Sequence, residues 1–292
     1  MPPLLALVPK WLVRLLLSGA IAYLLACLFL LLRQNHFMFF PTAVLQATPR
    51  DLNLSYEDIW ISVTPANGKP ERMHNWWIPA RGVERGVVLH LHGNGHNVGA
   101  NLGQALRFHQ LGLSVLMVEY RGYGQSEGGF PTEASVYQDA RVAWNYLSQT
   151  RGIAADRILI FGHSLGGAIA IDLAKDQPEA AGLIVQSSFT RMQAMVERAG
   201  YFRLFPAQLL LTQRFESIEK VPQLKMPVLY IHGTRDELIP YSMSQDLYAA
   251  TPEPKHLFLV PQAMHNDVAA VGDTAYTEVL NQFLERHLSQ PR

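Results

Sequence analysis

An α/β architecture with a mostly parallel, doubly wound sheet is predicted by three features of the chain. From Gly86 onward, short apolar runs that end in Gly, Asn or Asp alternate with helix-like stretches, the pattern of a parallel sheet covered on both faces. One run, Arg157-Ile158-Leu159-Ile160-Phe161, leads without a break into Gly162-His163-Ser164-Leu165-Gly166 and then Gly167-Ala168-Ile169-Ala170, a strand, tight turn and helix with a serine at the apex. Asp236 and His265 follow the ends of two later runs, on the edge of such a sheet where functional groups gather.

A chain of 292 residues suits one large α/β domain or two small ones, and 49% apolar residues are ample for a core. Basic and acidic side chains balance at 24 each, and no Lys/Arg cluster is interleaved with aromatic residues, which argues against a nucleic-acid partner. The single cysteine, Cys27, excludes an internal disulfide and any cysteine-based metal site. Nothing in the composition sets an oligomeric state.

Taken in order, the chain opens with an uncharged stretch from Leu15 to Leu32, bounded by Lys10 and Arg14 on one side and Arg33 on the other. As a helix it reaches roughly 27 Å, enough to cross a hydrocarbon core. Apolar on every face and ahead of a complete domain, it is expected as a membrane anchor over 1–33 rather than a core helix. A cleaved signal peptide is the rival, although no Ala-x-Ala-like site stands between the run and Arg33. Leu24-Leu25-Ala26-Cys27 fits a lipoprotein cleavage box poorly, because the residues after Cys27 stay apolar. Lys10 and Arg14 favour a cytoplasmic amino terminus, hence a single-pass membrane protein with its domain on the non-cytoplasmic side. A juxtamembrane linker over 34–55 follows, whose His36-Phe37-Met38-Phe39-Phe40-Pro41 suits either the lipid interface or the first buried piece of the domain.

The domain over 56–292 is expected to begin with an antiparallel hairpin, Glu57 to Val63 and Met73 to Ile78, with Trp76 and Trp77 in the core. Strands then follow at Gly86 to Leu91, Ser114 to Glu119, the run before Ser164, Gly182 to Gln186, Pro227 to His232 and Leu257 to Val260. Helices are expected from Val98 to about Gln110, Glu133 to about Gln149, Ser242 to Ala250 and Thr274 to Leu288. Between two strands, about 189–220, lies a short insertion rich in apolar residues, among them Met192, Met195, Val196, Tyr201, Phe202, Leu204 and Phe205. Leaving the carboxyl end of a strand, it stands beside the site and can line an acyl pocket or simply cover the core.

A serine hydroxyl attacks poorly at neutral pH unless a base takes its proton and a carboxylate orients that base. In a sheet of this kind the three follow in the order serine, acid, histidine, each at a strand's carboxyl end. Ser164, Asp236 and His265 meet that condition. Asp139, Asp172 and Asp246 fall in expected helices, and Asp156 begins a strand at the wrong end. Glu237 is the alternative acid, and Asp267 is expected to bond its own loop. The oxyanion needs two backbone N–H donors, one after the nucleophile and one from the loop after an earlier strand, which nominates Leu165 and Asn94, with Gly95 as substitute. A second Gly-x-Ser-x-Gly, Gly124 to Gly128, sits in a Gly/Pro loop with no helix after it and reads as a turn. His90, His92 and His96 lack an accompanying Asp or Cys, so no metal and no cofactor is expected; His92 is expected to hold the loop shape.

With those residues in hand, the chain from about Tyr56 to Leu288 is similar to the α/β-hydrolases. More narrowly, His92-Gly93-Asn94, Tyr120-Arg121-Gly122-Tyr123-Gly124-Gln125-Ser126, Gly162-His163-Ser164-Leu165-Gly166-Gly167, His232-Gly233-Thr234-Arg235-Asp236 and the late His265 resemble the bud-emergence type of membrane-anchored hydrolases. That group is related to the animal abhydrolase-domain depalmitoylases, and its members tend to carry one N-terminal membrane segment. The resemblance implies an α/β-hydrolase fold and serine hydrolysis of an ester or thioester, and it leaves the substrate open. Two positions depart from the family pattern: Glu119 stands where Asp is usual before Tyr-Arg-Gly, and Gly95-His96 replaces the usual small pair. The expected substrate is an acyl ester or thioester, lipid-derived in view of the anchor and the apolar insertion. A peptidase of the same fold and a non-catalytic membrane-anchored binding protein are the alternatives.

Overall fold

The computed structural model describes residues 9–65, 68–200 and 204–288. Its centre is an eight-stranded sheet: β1 (Glu57–Val63), β2 (Glu71–Ile78), β3 (Gly86–Leu91), β4 (Leu113–Val118), β5 (Ile158–His163), β6 (Gly182–Gln186), β7 (Val228–Gly233) and β8 (Lys255–Val260). The spatial order is β8-β7-β6-β5-β3-β4-β2-β1. The hairpin β1–β2 joins β4 antiparallel, and every pairing from β4 through β8 is parallel. Strands β3 to β7 are buried end to end but for His163, so they read as continuous apolar runs rather than alternating ones. Each buried Val, Leu or Ile there contributes about 1.5–3 kcal/mol.

Helices α2 (Leu102–Gln110), α3 (Glu133–Asn145), α4 (Leu165–Lys175), α5 (Met192–Ala199), α6 (Tyr241–Ala250) and α7 (Val268–His287) follow the apolar helix α1 (Lys10–Arg33). Val136, Ala140, Ile169, Leu173 and Leu247 of α3, α4 and α6 close one face of the sheet; Phe108, Tyr276, Leu280 and Phe283 of α2 and α7 close the other. After β3 the chain steps to β4, then returns to β5 on the opposite side of β3. The reversal opens a crevice at the carboxyl ends of β3 and β5.

Several boundaries differ from expectation for local reasons. A 3-10 turn, Val98–Asn101, precedes α2, capped by the Asn97 side chain that accepts from the Gly99 N–H. The third helix continues as a π turn over Tyr146–Thr150. Helix α7 starts earlier than Thr274 and bends at Asp273, whose φ of 40° is non-helical, so Val268–Gly272 forms a separate first turn over the crevice. In the insertion, α5 is followed by single turns at Ala207–Leu210 and Ser217–Lys220; Tyr201 and Phe202 lie outside the described residues.

The stretch expected as a linker is built into the domain. Phe39 is buried, and Phe40-Pro41 pair in parallel with Gly95-His96. The Asn94 carbonyl accepts the Phe40 N–H at 2.9 Å. Helix α1 exposes Leu15, Leu16, Leu24, Leu25 and Phe29, and its mean hydropathy of 2.6 and 24 residues are those of a candidate membrane span.

Candidate active site

The elbow is shaped by two glycines. A Cβ at Gly162 would strike the Gly166 carbonyl, and one at Gly166 would strike the Leu91 carbonyl of the neighbouring strand. Ser164 itself has φ 56° and ψ −122°, a strained conformation that a non-glycine residue keeps only where its surroundings enforce it. They do so here: Ser164 donates its N–H to the Gln186 carbonyl at 2.9 Å, and Ser188 Oγ donates to the Ser164 carbonyl at 2.9 Å.

Ser164, His265 and Asp236 converge from β5, the β8–α7 loop and the β7–α6 loop. His265 Nε2 is 3.0 Å from Ser164 Oγ, and His265 Nδ1 is 2.7 Å from Asp236 Oδ2. The other oxygen, Asp236 Oδ1, accepts the backbone N–H groups of Leu238 and Ile239 at 3.0 and 2.8 Å. Burial by itself would raise the Asp236 pKa. Hydrogen bonds from His232, His265 and the Ile239 N–H, with the charge of His265, outweigh it and hold the carboxyl well below the usual carboxylate range. A permanent carboxylate at Nδ1 keeps that proton on His265 and leaves Nε2 free to accept one from the serine.

His232 is the residue that sequence reasoning passed over. Its Nε2 lies 3.0 Å from Asp236 Oδ2 and 2.9 Å from the Ile239 carbonyl, and its Nδ1 lies 2.7 Å from Ser244 Oγ. The spacing His232-x-x-x-Asp236 was visible, but only the tight turn through Gly233, where a Cβ would strike the Ala263 carbonyl, swings the two together. His163 is a second such case, with Nε2 3.2 Å from the His265 carbonyl and its ring 5.0 Å from that of His265. Burial and the neighbouring His265 push the His163 pKa down to about 4.

Leu165 occupies the first position of α4, where the backbone N–H of a helix has no intrahelical acceptor. Asn94 lines the same cavity as Ser164 and Leu165. Its side chain donates to the Met38 carbonyl at 2.9 Å and its carbonyl accepts from Tyr123 Oη at 2.8 Å. The Gly95-His96 departure therefore coincides with the small parallel bridge to residues 40–41. The Glu119 departure is absorbed too: this buried carboxylate meets His92 Nε2 at 2.9 Å and the Val98 N–H at 3.0 Å.

The remaining candidates are dispersed. Ser126 Oγ accepts the His74 N–H and donates to the Glu119 carbonyl, so the second Gly-x-Ser-x-Gly is a turn. Asp139 pairs with Arg121 at 2.6 Å and Asp172 with Lys220 at 2.8 Å. Asp267 accepts the Met264 N–H at 2.6 Å within its own loop, and Glu237 is exposed. The rings of His90, His92 and His96 diverge: His90 stacks on Phe161, His92 meets Glu119, and His96 is exposed. Among the described residues no group of three His, Cys, Asp or Glu side chains is arranged to hold a metal ion.

A cavity of about 1300 Å³ opens onto Ser164 and His265. On the insertion side it is lined by Phe37, Met38, Phe189, Met192, Met195 and Val196. Phe37, Met38 and Val196 are shared with an apolar groove that continues to Leu30, Phe205, Leu210 and Leu211, against the end of α1.

Comparison with known proteins agrees with this architecture. The profile of the family described as serine aminopeptidase, S33, matches residues 82–218. Protein bem46 of Schizosaccharomyces pombe is 30% identical over 250 residues, covering 84% of this chain and 82% of that protein. The α/β hydrolase domain-containing protein WAV2 of Arabidopsis thaliana is 32% identical over 262 residues, covering 84% and 83%. The chain belongs to the bem46-type α/β-hydrolases.

In this α/β-hydrolase the fold likeness extends to solved enzymes. An esterase of Pyrococcus furiosus superposes with a TM-score of 0.70 at 23% identity, over 86% of this chain and 99% of that one. A monoacylglycerol lipase of Paleococcus ferrophilus superposes with a TM-score of 0.57 at 18% identity, over 74% and 99%. At these identities the likeness is one of fold. The family makes the chain a hydrolase.

Proposed function

We propose that this hydrolase is a membrane-anchored serine esterase or thioesterase that cleaves a lipid-derived acyl substrate through an acyl-serine intermediate. The Ser164–His265–Asp236 relay, at 3.0 and 2.7 Å, carries the reading. Ser164 Oγ attacks the carbonyl carbon while its proton passes to His265 Nε2; Asp236 orients the imidazole and stabilises its positive charge. The N–H groups of Leu165 and Asn94 receive the oxyanion. On collapse, His265 gives its proton to the leaving alcohol or thiol, and water then releases the acid by the same steps in reverse.

The apolar side of the cavity and its continuation along α1 support an acyl chain, and α1 as anchor keeps that groove at the bilayer. The charge bias across α1 supports a domain on the non-cytoplasmic side, testable by protease protection of sealed vesicles. A fluorophosphonate probe tests the chemistry: wild type labels and Ser164→Ala does not. Absence of labelling in the wild type would leave the non-catalytic alternative standing. The matched family's description favours a peptidase as second reading; hydrolysis of aminoacyl p-nitroanilides faster than of p-nitrophenyl esters would establish it. A preference confined to two-carbon to four-carbon acyl groups would remove the lipid-derived substrate.

A further inference from the structure

The cavity has a second arm, on the face of the sheet away from the insertion, between α2 and the first turn of α7. Its walls include His90 and Phe161 from the sheet, Gln104 and Arg107 from α2, and Ala269 and Ala270 from α7. The lining here is unlike the acyl side. Arg107 is half-buried and makes no ion pair or side-chain hydrogen bond among the described residues. His90 is 1% exposed, and neither of its ring nitrogens has a hydrogen-bond partner among the described residues.

An uncommitted cation and an uncommitted buried imidazole facing one cavity are unusual, because buried polar groups in folded proteins are as a rule hydrogen-bonded. The local alternatives are already used. Gln104 Nε2 donates to Tyr276 Oη at 2.8 Å, and Tyr276 Oη donates to Gln186 Oε1 at 2.7 Å, so these three side chains are engaged with one another. Among the described residues that line the cavity, the single carboxylate is Glu237, which lies with the insertion, where its carbonyl accepts from Arg198 at 3.1 Å. The Arg107 arm therefore has positive charge and donors without a compensating acid.

We propose that this arm is a subsite for an anionic group, a phosphate or a carboxylate, on the alcohol or thiol portion of the substrate, held by the Arg107 guanidinium with the His90 ring beside it. The proposal rests on the hydrolase reading only for the direction of the substrate. With the acyl chain on the Met192–Met195 side, the leaving group must extend away from Ser164 into the other arm. Guanidinium binds phosphate and carboxylate through paired N–H donors in one plane. The substrate class is then an acyl ester or thioester with an anionic head.

The test uses non-hydrolysable ethers, so that it is independent of turnover. Binding of 1-O-hexylglycerol 3-phosphate, 3-O-hexylglycerate and neutral 1-O-hexylglycerol to the full chain is measured by calorimetry, in wild type, Arg107→Gln and Arg107→Lys. Tighter binding of at least one anion than of the neutral ether is expected. The preference should fall on the order of ten- to a hundredfold in Arg107→Gln, the range for a hydrogen bond to a charged group, and return in part in Arg107→Lys. The stronger anion identifies phosphate or carboxylate as the head. Equal binding of all three ethers by wild type would overturn the subsite, as would an anion preference that survives Arg107→Gln. Fluorophosphonate labelling of the same preparations reports on the hydrolase reading separately: a labelled enzyme without anion preference refutes only the subsite.

Discussion

Asp236→Asn separates the two acids that adjoin the β7 end and exposes how much the orientation of His265 is worth. In the native site Asp236 Oδ2 accepts from His265 Nδ1 at 2.7 Å and from His232 Nε2 at 3.0 Å, while Oδ1 accepts two backbone N–H groups. Asn can keep Oδ1 on the backbone donors, and its amide NH2 then faces both histidines. His265 must turn to the tautomer with its proton on Nε2, so the nitrogen facing Ser164 Oγ no longer accepts. A loss on the order of 10⁴ in kcat follows, the magnitude for that tautomer change in another serine hydrolase. Stability falls as well, since His232 Nε2 cannot accept from the new amide without opposing the Ile239 carbonyl at 2.9 Å; one such mismatch costs about 1–3 kcal/mol. Hydrolysis of p-nitrophenyl butyrate, with urea unfolding on the same samples, measures both. Activity of Asp236→Asn within tenfold of wild type, with a large loss in Glu237→Gln, would refute the assignment.

Two further outcomes follow from packing and titration. Gly166→Ala drives its Cβ into the Leu91 carbonyl on the adjacent strand, and since neither backbone can yield cheaply, a destabilisation of at least about 3 kcal/mol is expected in denaturant titration; near-wild-type stability would mean that the elbow is looser than described. Burial, with the nearby His92 and His163, lowers the His90 pKa from 6.5 to about 3. The unfolded chain therefore takes up this proton first, and stability is lost as pH falls below about 6.5, by about 2 kcal/mol between pH 7 and pH 5. His90→Leu should flatten that part of the pH–stability curve, and an unchanged slope would place the titration elsewhere.

The sheet was legible because its central strands are apolar without alternation and end in turn residues, and the elbow because Ser164 has a strand behind it and a helix ahead. Asp236 and His265 could be ordered by strand ends without knowing the fold in detail. His232 could not. Whether a histidine four residues before an acid turns toward it depends on the path through Gly233, and that path is set by Ala263 and Met264 from a distant loop. The pairing of Phe40-Pro41 with Gly95-His96 was equally hidden, since two-residue bridges leave no periodic signal. The bend at Asp273 was half visible: the helical pattern begins at Thr274, and the extra turn before it is held by tertiary contacts, with Val268 buried under the sheet.

Gln34 shows how the end of α1 and the insertion beside the site become one mechanical unit. It stands just beyond α1 and is 8% exposed. Its Nε2 donates to the Leu31 and Leu210 carbonyls at 2.9 and 3.1 Å, and its Oε1 accepts the Thr212 and Gln213 N–H groups at 2.8 and 3.2 Å. From the other side, Glu133 accepts the Arg214 and Phe215 N–H groups at 2.6 and 2.8 Å. The returning arm of the insertion is thus clamped between α1 and α3, next to the groove that leads to Ser164. Gln34→Ala releases one clamp and leaves several part-buried backbone groups unpaired, which at about 1 kcal/mol for each hydrogen bond lost gives a local opening easier by roughly 2–3 kcal/mol. Limited trypsin cleavage at Arg198 or Arg214 should accelerate on the order of thirtyfold or more. The elbow lies outside the released segment, so fluorophosphonate labelling should persist while discrimination between long and short acyl esters weakens. Cleavage at the wild-type rate would show that the insertion is held by its own packing on α5 and the core, and that α1 lies against it without supporting it.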